Sequence, residues 1–106
     1  MRGDTLRGHL DMLVLSALRD EPAHGYEVIQ RLRERSDQLL DLPEGSIYPA
    51  LHRLERAGFL KGRWEQGAGP RRRVYRVTPK GERELARQQG DWQALVKAIS
   101  AVMEGT

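Results

Sequence analysis

The side chains best suited to chemistry in this sequence are hydrogen-bond donors and cations, and they fall in two short blocks. One is Ser46-Ile47-Tyr48-Pro49-Ala50-Leu51-His52-Arg53-Leu54-Glu55-Arg56, where apolar residues recur at helical spacing and leave Ser46, Tyr48, Pro49, His52, Arg53 and Arg56 on the opposite face. The other is Arg71-Arg72-Arg73, directly after Gly69-Pro70. Guanidinium groups carry a permanent charge and a fork of N–H donors, so the chemistry on offer is recognition of a polyanion. Two competing readings stand beside it. Arg53 and Arg56 also read as surface ion pairs with Glu55 or Glu44, and an isolated His52 as a partly exposed polar side chain. By spacing, Ile47 is a better core candidate than Tyr48.

Catalysis finds no comparable support. His9, His24 and His52 lie on different segments, and none belongs to an H-E-x-x-H pattern. Ser16, Ser36, Ser46 and Ser100 occupy no nucleophile-elbow context. Gly67-Ala68-Gly69 precedes a proline and a strand, which is not how a phosphate-cradling loop is built. The sequence has no cysteine, so disulfides, thiolate metal sites and cysteine nucleophiles are excluded. No catalytic residue, metal site or cofactor is expected.

Charge sharpens the first reading. Residues 41–80 hold 9 basic against 4 acidic side chains, whereas residues 1–40 hold 6 against 7 and residues 81–106 hold 3 against 4. The formal excess of +3 is therefore concentrated at the centre, as suits a polyanionic partner. Leu, Ile, Val and Phe make up only 24 of 106 residues. One protomer can bury only a thin core, and self-association is a way to complete it. No run of apolar residues approaches a membrane span and no signal-peptide core follows Met1, which predicts a soluble, cytosolic protein.

Positioning these blocks requires a definite order of elements. Leu6, Leu10, Leu13, Val14, Ala17 and Leu18 predict a first helix from near Gly8 to Asp20-Glu21-Pro22. A second follows through His24-Gly25-Tyr26-Glu27, with Tyr26, Ile29 and Leu32 on its buried side. Ser46 is expected to cap a third helix that runs to Ala57, with Gly58 as its stop. That start keeps Pro49 in the first turn, where its missing N–H costs nothing. Phe59–Glu65 and Arg73–Val77 alternate in the manner of strands, joined by Gln66-Gly67-Ala68-Gly69-Pro70, with Trp64 expected to pack at the base of the hairpin. Thr78-Pro79 marks a last helix through Leu85, Trp92, Leu95, Val96, Ile99, Val102 and Met103.

Three helices, a hairpin and a long helix describe a mainly α (α+β) fold, a winged helix-turn-helix with a C-terminal dimerisation helix. The expected division is a DNA-binding domain at 1–78 and a dimerisation helix at 79–106 packed on the same domain. In that architecture the third helix enters the major groove of double-stranded DNA and the hairpin lies along the backbone. The last helix would expose a Leu85–Trp92–Ile99 stripe unless a second copy covered it. The expected homodimer interface is therefore Leu10, Leu85, Trp92, Leu95, Val96, Ile99, Val102 and Met103, which sets two recognition helices about 34 Å apart. The rival is a winged-helix protein-interaction module without DNA readout, against which the basic centre argues.

Three segments carry a family resemblance: His24-Gly25-Tyr26-Glu27, Gly45–Glu55, and Gly69-Pro70-Arg71-Arg72-Arg73-Val74-Tyr75-Arg76-Val77-Thr78-Pro79-Lys80-Gly81. They resemble the PadR family of bacterial transcriptional regulators, in its small subtype with a single C-terminal helix. The resemblance implies a homodimer that binds a palindromic, inverted-repeat operator, usually as a repressor, and leaves DNA when a small-molecule effector binds. It places the counterparts of Ser46, Tyr48, Pro49, His52 and Arg53 on the recognition helix and those of Arg71, Arg72 and Arg73 on the wing. In several small members an aromatic at the position of Trp92 lines a cavity at the dimer centre that takes flat hydrophobic compounds. Trp92 is thus either an effector-binding residue or a filler of the interface core.

Overall fold

The structure, a computed structural model, describes residue 6 and residues 8–105. Its elements are α1 (Leu10–Leu18), β1 (Ala23–His24), α2 (Gly25–Arg35), α3 (Glu44–Arg56), β2 (Leu60–Glu65), β3 (Arg72–Val77) and α4 (Pro79–Glu104). The three strands form one antiparallel sheet in the order β1-β3-β2. The α+β architecture and the order of helices and hairpin agree with the sequence reading. β1 is additional: two residues are too few to show a period of two.

Local chemistry explains most boundaries. Thr78 caps α4 by accepting from the Gly81 amide at 3.0 Å, with Pro79 at the first helical position. Gly58, at φ +85°, ends α3 in a Schellman arrangement. Its amide donates to the Glu55 carbonyl and that of Phe59 to the Leu54 carbonyl, both at 3.0 Å. α2 begins with a capping box, in which His24 Nδ1 accepts from the Glu27 amide and Glu27 Oε1 accepts from the His24 amide. Histidine is not a usual cap residue, so the box was hidden in the sequence.

Four expectations are corrected. α3 begins at Glu44 with Pro43 as its cap residue, not at Ser46, and Pro49 lies inside the helix. The only bond Pro49 forfeits would go to the carbonyl of Gly45, which is exposed and so open to water. Tyr26 is 53% exposed, because Val28 takes the inward position beside Ile29 and Leu32. Trp64 lies near the loop end of the hairpin, opposite Arg73, and is half exposed, not packed at the base. Leu85 is only 2% exposed: it lies in the protomer's own core and is not available to a partner.

That core gathers α1 (Met12, Val14, Leu15), α2 (Val28, Ile29, Leu32), α3 (Ile47, Ala50, Leu51, Leu54), Tyr75 of β3 and Leu85 of α4. From Ala86 to Gly105 no residue is buried. Among the described residues no helix is long and apolar enough to cross a membrane.

The tightest approach lies where α3 hands over to α4. The Thr78 hydroxyl donates to the Gly58 carbonyl at 2.6 Å, Lys80 Nζ donates to the Ala57 carbonyl at 2.8 Å, and the Thr78 amide donates to the Phe59 carbonyl at 3.0 Å. A Cβ on Gly81 would sit 2.1 Å from the Phe59 carbonyl oxygen, so only glycine fits. Gly81→Ala should lower stability by about 3 kcal/mol, as a backbone-blocked overpacking. Urea denaturation followed by circular dichroism reads the loss, and Gly90→Ala, where a Cβ meets nothing within 4 Å, serves as the comparison.

Candidate nucleic-acid interface

α3 presents three longitudinal faces. At about 100° per residue, the direction opposite the buried Ile47, Ala50, Leu51 and Leu54 holds Gly45, Pro49, His52 and Arg56, all exposed. Ser46 and Arg53 lie on one flank, towards α1. Tyr48 and Glu55 lie on the other, towards the start of α2 and the wing.

Each flank is fixed by a partner. The Tyr48 ring packs on the first residue of α2, where a Cβ on Gly25 would come within 2.6 Å of Cε1 and Cζ. Gly25 therefore sets how close α2 and α3 approach. Glu55 anchors the wing: Arg73 Nη2 donates to its Oε2 at 2.5 Å, Arg73 Nε to its Oε1 at 3.3 Å, and the Gly62 amide to Oε2 at 3.1 Å. Gly62 leaves room for this pair, since a Cβ there would press on Arg73 Nε at 2.6 Å. The Arg73 hydrogen bond holds the Glu55 carboxyl below its ordinary pKa, against the opposing effect of burial, and the carboxylate in turn raises that of Arg73. Burial raises the phenol of Tyr75 alongside. On the other flank, Arg53 Nη2 donates to Asp11 Oδ1 of α1.

The three successive arginines thus diverge. Arg73 is tied to Glu55, Arg71 stands over the Trp64 ring at 4.7 Å, and Arg72 Nη1 lies 3.0 Å from His24 Nε2. Together with Tyr26, Tyr48, His52 and Tyr75 they line an open cleft of about 410 Å³ between α3, the start of α2 and the wing. Among the described residues, Arg56, Lys61, Arg63, Arg71, Arg72 and Arg76 have no carboxylate within ion-pair distance. The central charge excess is therefore largely uncompensated, with Arg71 and Arg72 at this cleft and Lys61, Arg63 and Arg76 along a separate groove of the sheet. Such a surface can attract phosphates and offer donors and aromatic faces to a nucleic acid.

A family model described as "Transcriptional regulator PadR-like family" matches residues 14–87. The chain belongs to the PadR-like family. Among relatives, the transcriptional regulator Rv3488 of Mycobacterium tuberculosis is 30% identical over 93 residues, covering 88% of this chain and 84% of that protein. A transcriptional regulator from Clostridium thermocellum, Cth-833, superposes with a TM-score of 0.86 at 31% identity, over 94% of this chain and 95% of that one. Bacillus subtilis PadR, solved in complex with operator DNA, superposes with a TM-score of 0.70 at 28% identity. That match covers 77% of this chain and 47% of the other.

Within this PadR-like winged helix, His52, Arg71, Arg72 and Arg73 meet at one cleft with Tyr48. Pro49 stands on the outward ridge of α3, while Ser46 and Arg53 lie apart on the α1 flank. Neither arginine of α3 pairs with Glu44 or Glu55: Arg53 takes Asp11, and Arg56 has no ion pair among the described residues. Sequence reasoning missed the anchoring role of Glu55 and the place of Trp64 at the cleft. Counting outward along the hairpin would have found the second, because Trp64 faces Arg73 in register.

The Glu55–Arg73 anchor predicts an acid dependence. A carboxyl whose pKa is depressed on folding stabilises fully above its ordinary value, 4.5, and loses that contribution as pH falls below it. Glu55→Gln should cost about 1–2 kcal/mol at neutral pH, and the gap to wild type should close on acidification below that value. Thermal melts against pH in a Trp92→Phe background check this, with Trp64 fluorescence reporting the wing.

Proposed function

We propose that this PadR-like regulator is a homodimeric, sequence-specific DNA-binding repressor of the cytoplasm, released from an inverted-repeat operator by a small-molecule effector. The observation that carries the reading is the outward ridge of α3 beside a cleft lined by wing arginines, with Arg56, Arg71 and Arg72 free of carboxylates among the described residues. The operator complex of Bacillus subtilis PadR supports the same partner for this chain. In this reading Pro49 and His52 contact base edges with Ser46, Tyr48 and Arg53 on their flanks. Arg56, Arg71 and Arg72 neutralise phosphates, and Arg73 holds the wing in place.

The dimer rests on α4. Trp92, Leu95, Val96, Ile99, Val102 and Met103 are between 41% and 81% exposed and follow one another at coiled-coil spacing. Such a stripe in water favours a second copy, with the half-buried Leu10 at its margin. The division proposed is a winged domain at 1–78 and a dimerisation arm at 79–106. The effector site proposed is Trp92, whose ring meets that of His9 edge-on at 4.9 Å and borders an open groove of about 260 Å³ with Met12, Arg87 and Leu95. A planar hydrophobic compound stacking there would alter how two α4 helices meet.

Sedimentation should give a dimer at micromolar concentration, and gel shifts on the protein's own upstream region should give one discrete complex. Affinity should fall with salt by about 0.9 log units per log unit for each phosphate neutralised, and Arg72→Gln should lower that slope by about one on any sequence. A monomer, or a slope unchanged in Arg72→Gln, speaks against the reading. For the effector site, titration with planar aromatic compounds should quench fluorescence in wild type and not in Trp92→Ala.

A further inference from the structure

α3 carries two arginines three residues apart in opposite electrostatic states. Arg56 is exposed without an ion pair among the described residues, whereas Arg53 donates through Nη2 to Asp11, 42 residues earlier in the chain. We propose that Asp11 is a positioning residue for base readout: its carboxylate holds the Arg53 guanidinium on the α1 flank of α3, so that Arg53 reads a base edge and does not serve as a phosphate cation. This rests on the proposal that α3 reads duplex DNA.

The electrostatics favour that division. An arginine paired with a carboxylate has almost no net charge to offer, so it adds little to counterion release, the main source of sequence-independent affinity. A carboxylate at that place would also repel a phosphate. What the pair keeps is geometry: the guanidinium retains N–H donors beyond the one given to Asp11, and base readout by arginine needs those donors held in a fixed fork. The exposures agree, since the Arg53 side chain is 53% exposed and open to a ligand while that of Asp11 is 34% exposed. Asp11 sits in the first turn of α1, where the helix dipole favours an anion. It therefore stands on a rigid element packed against α3 and not on a loop. Holding a long side chain before binding removes an ordering cost worth about 3- to 10-fold in affinity.

The test begins with selection of duplexes from a random library by wild type. Binding is then measured on the selected duplex and on a scrambled one of equal length, for wild type, Asp11→Asn, Arg53→Gln, Arg53→Lys and the Asp11→Asn/Arg53→Gln double variant. Asp11→Asn should lose about 3- to 10-fold on the selected duplex and nothing on the scrambled one, with discrimination relaxed at the same base pair that Arg53→Gln relaxes. The double variant should be no worse than Arg53→Gln alone. Arg53→Lys, which keeps the charge and loses the fork, should resemble Arg53→Gln on the selected duplex, and it carries the test should Asp11→Asn fold poorly. Tighter binding of both duplexes by Asp11→Asn, equal losses on both, additive losses in the double variant, or full selectivity in Arg53→Lys would each overturn the inference. A wild type that enriches no sequence overturns base readout as a whole. A motif that wild type enriches and Asp11→Asn leaves unchanged overturns only the role of Asp11.

Discussion

The junction of α3 and α4 is the constraint on which the rest of this structure depends. The carbonyls just past the end of α3 are satisfied from the first turn of α4: Thr78 and Lys80 donate to Gly58 and Ala57, while the Thr78 hydroxyl also accepts from Gly81. Gly81 admits the Phe59 carbonyl where any side chain would collide with it. Two helix ends that would otherwise leave orphan groups thus complete each other. At its other end α3 is clamped by the Tyr48 ring on Gly25. The helix proposed to read DNA is therefore fixed in rotation at one end and in direction at the other. α4 leaves the junction as a lever of 26 residues, about 39 Å at helical rise. A small change in how two such levers cross would be delivered to α3 with no flexible segment to absorb it.

The same economy governs the charges. Ion pairs open to water contribute little to stability, so the exposed pair Asp11–Arg53 has its main consequence in placement, and the partly buried pair Glu55–Arg73 adds placement to its stabilising effect. Glu55–Arg73 ties the wing to α3 across Gly62, and Asp11–Arg53 ties α1 to the opposite flank of the same helix. Each anchor neutralises one cation of the basic centre. Arg56 on α3 and Arg71 and Arg72 on the wing, among the cations without a carboxylate partner in the described residues, are left to act at a distance on a polyanion. A surface that must both attract a backbone and discriminate a sequence needs both kinds, because long-range attraction carries no sequence information and positioned donors supply it.

What the sequence revealed was whatever local chemistry determines. Thr78-Pro79 and Gly58 announce their helix boundaries because hydroxyl caps and left-handed glycines act within one turn. The apolar period of α3 separates Ile47 from Tyr48 correctly. The features that escaped depend on contacts far along the chain. Val28 displaces Tyr26 from the core of α2, and a lone histidine takes the cap of that helix. Pro49 is tolerated inside α3 because Gly45 is exposed. Leu85 belongs to the protomer core although it falls in register with Trp92 and Ile99, since the first turns of α4 still lie over α1 and the sheet. The partner of Arg53 could not be read from its neighbours at all: Glu55, nearest in sequence, faces the wing on the other side of the helix.

The distribution of burial along α4 carries its own argument. The protomer core ends at Leu85, and the remaining five to six turns bury no residue, meeting the rest of the protomer at the Trp92–His9 ring contact. A helix segment with so few tertiary contacts is marginal in water, because propagation barely exceeds unity per residue. Here nucleation is already achieved, since Thr78, Pro79 and the buried Gly81 and Leu85 fix the first two turns. What the exposed half then needs is only something to lie against. The apolar side chains it offers, from Trp92 to Met103, form one stripe, and a symmetric partner would meet that stripe with its own copy. The core that a short chain with few strong core formers can build is thus sufficient to set α3 and the wing. The surface left over is on the element whose crossing angle would decide how far apart two such recognition helices stand.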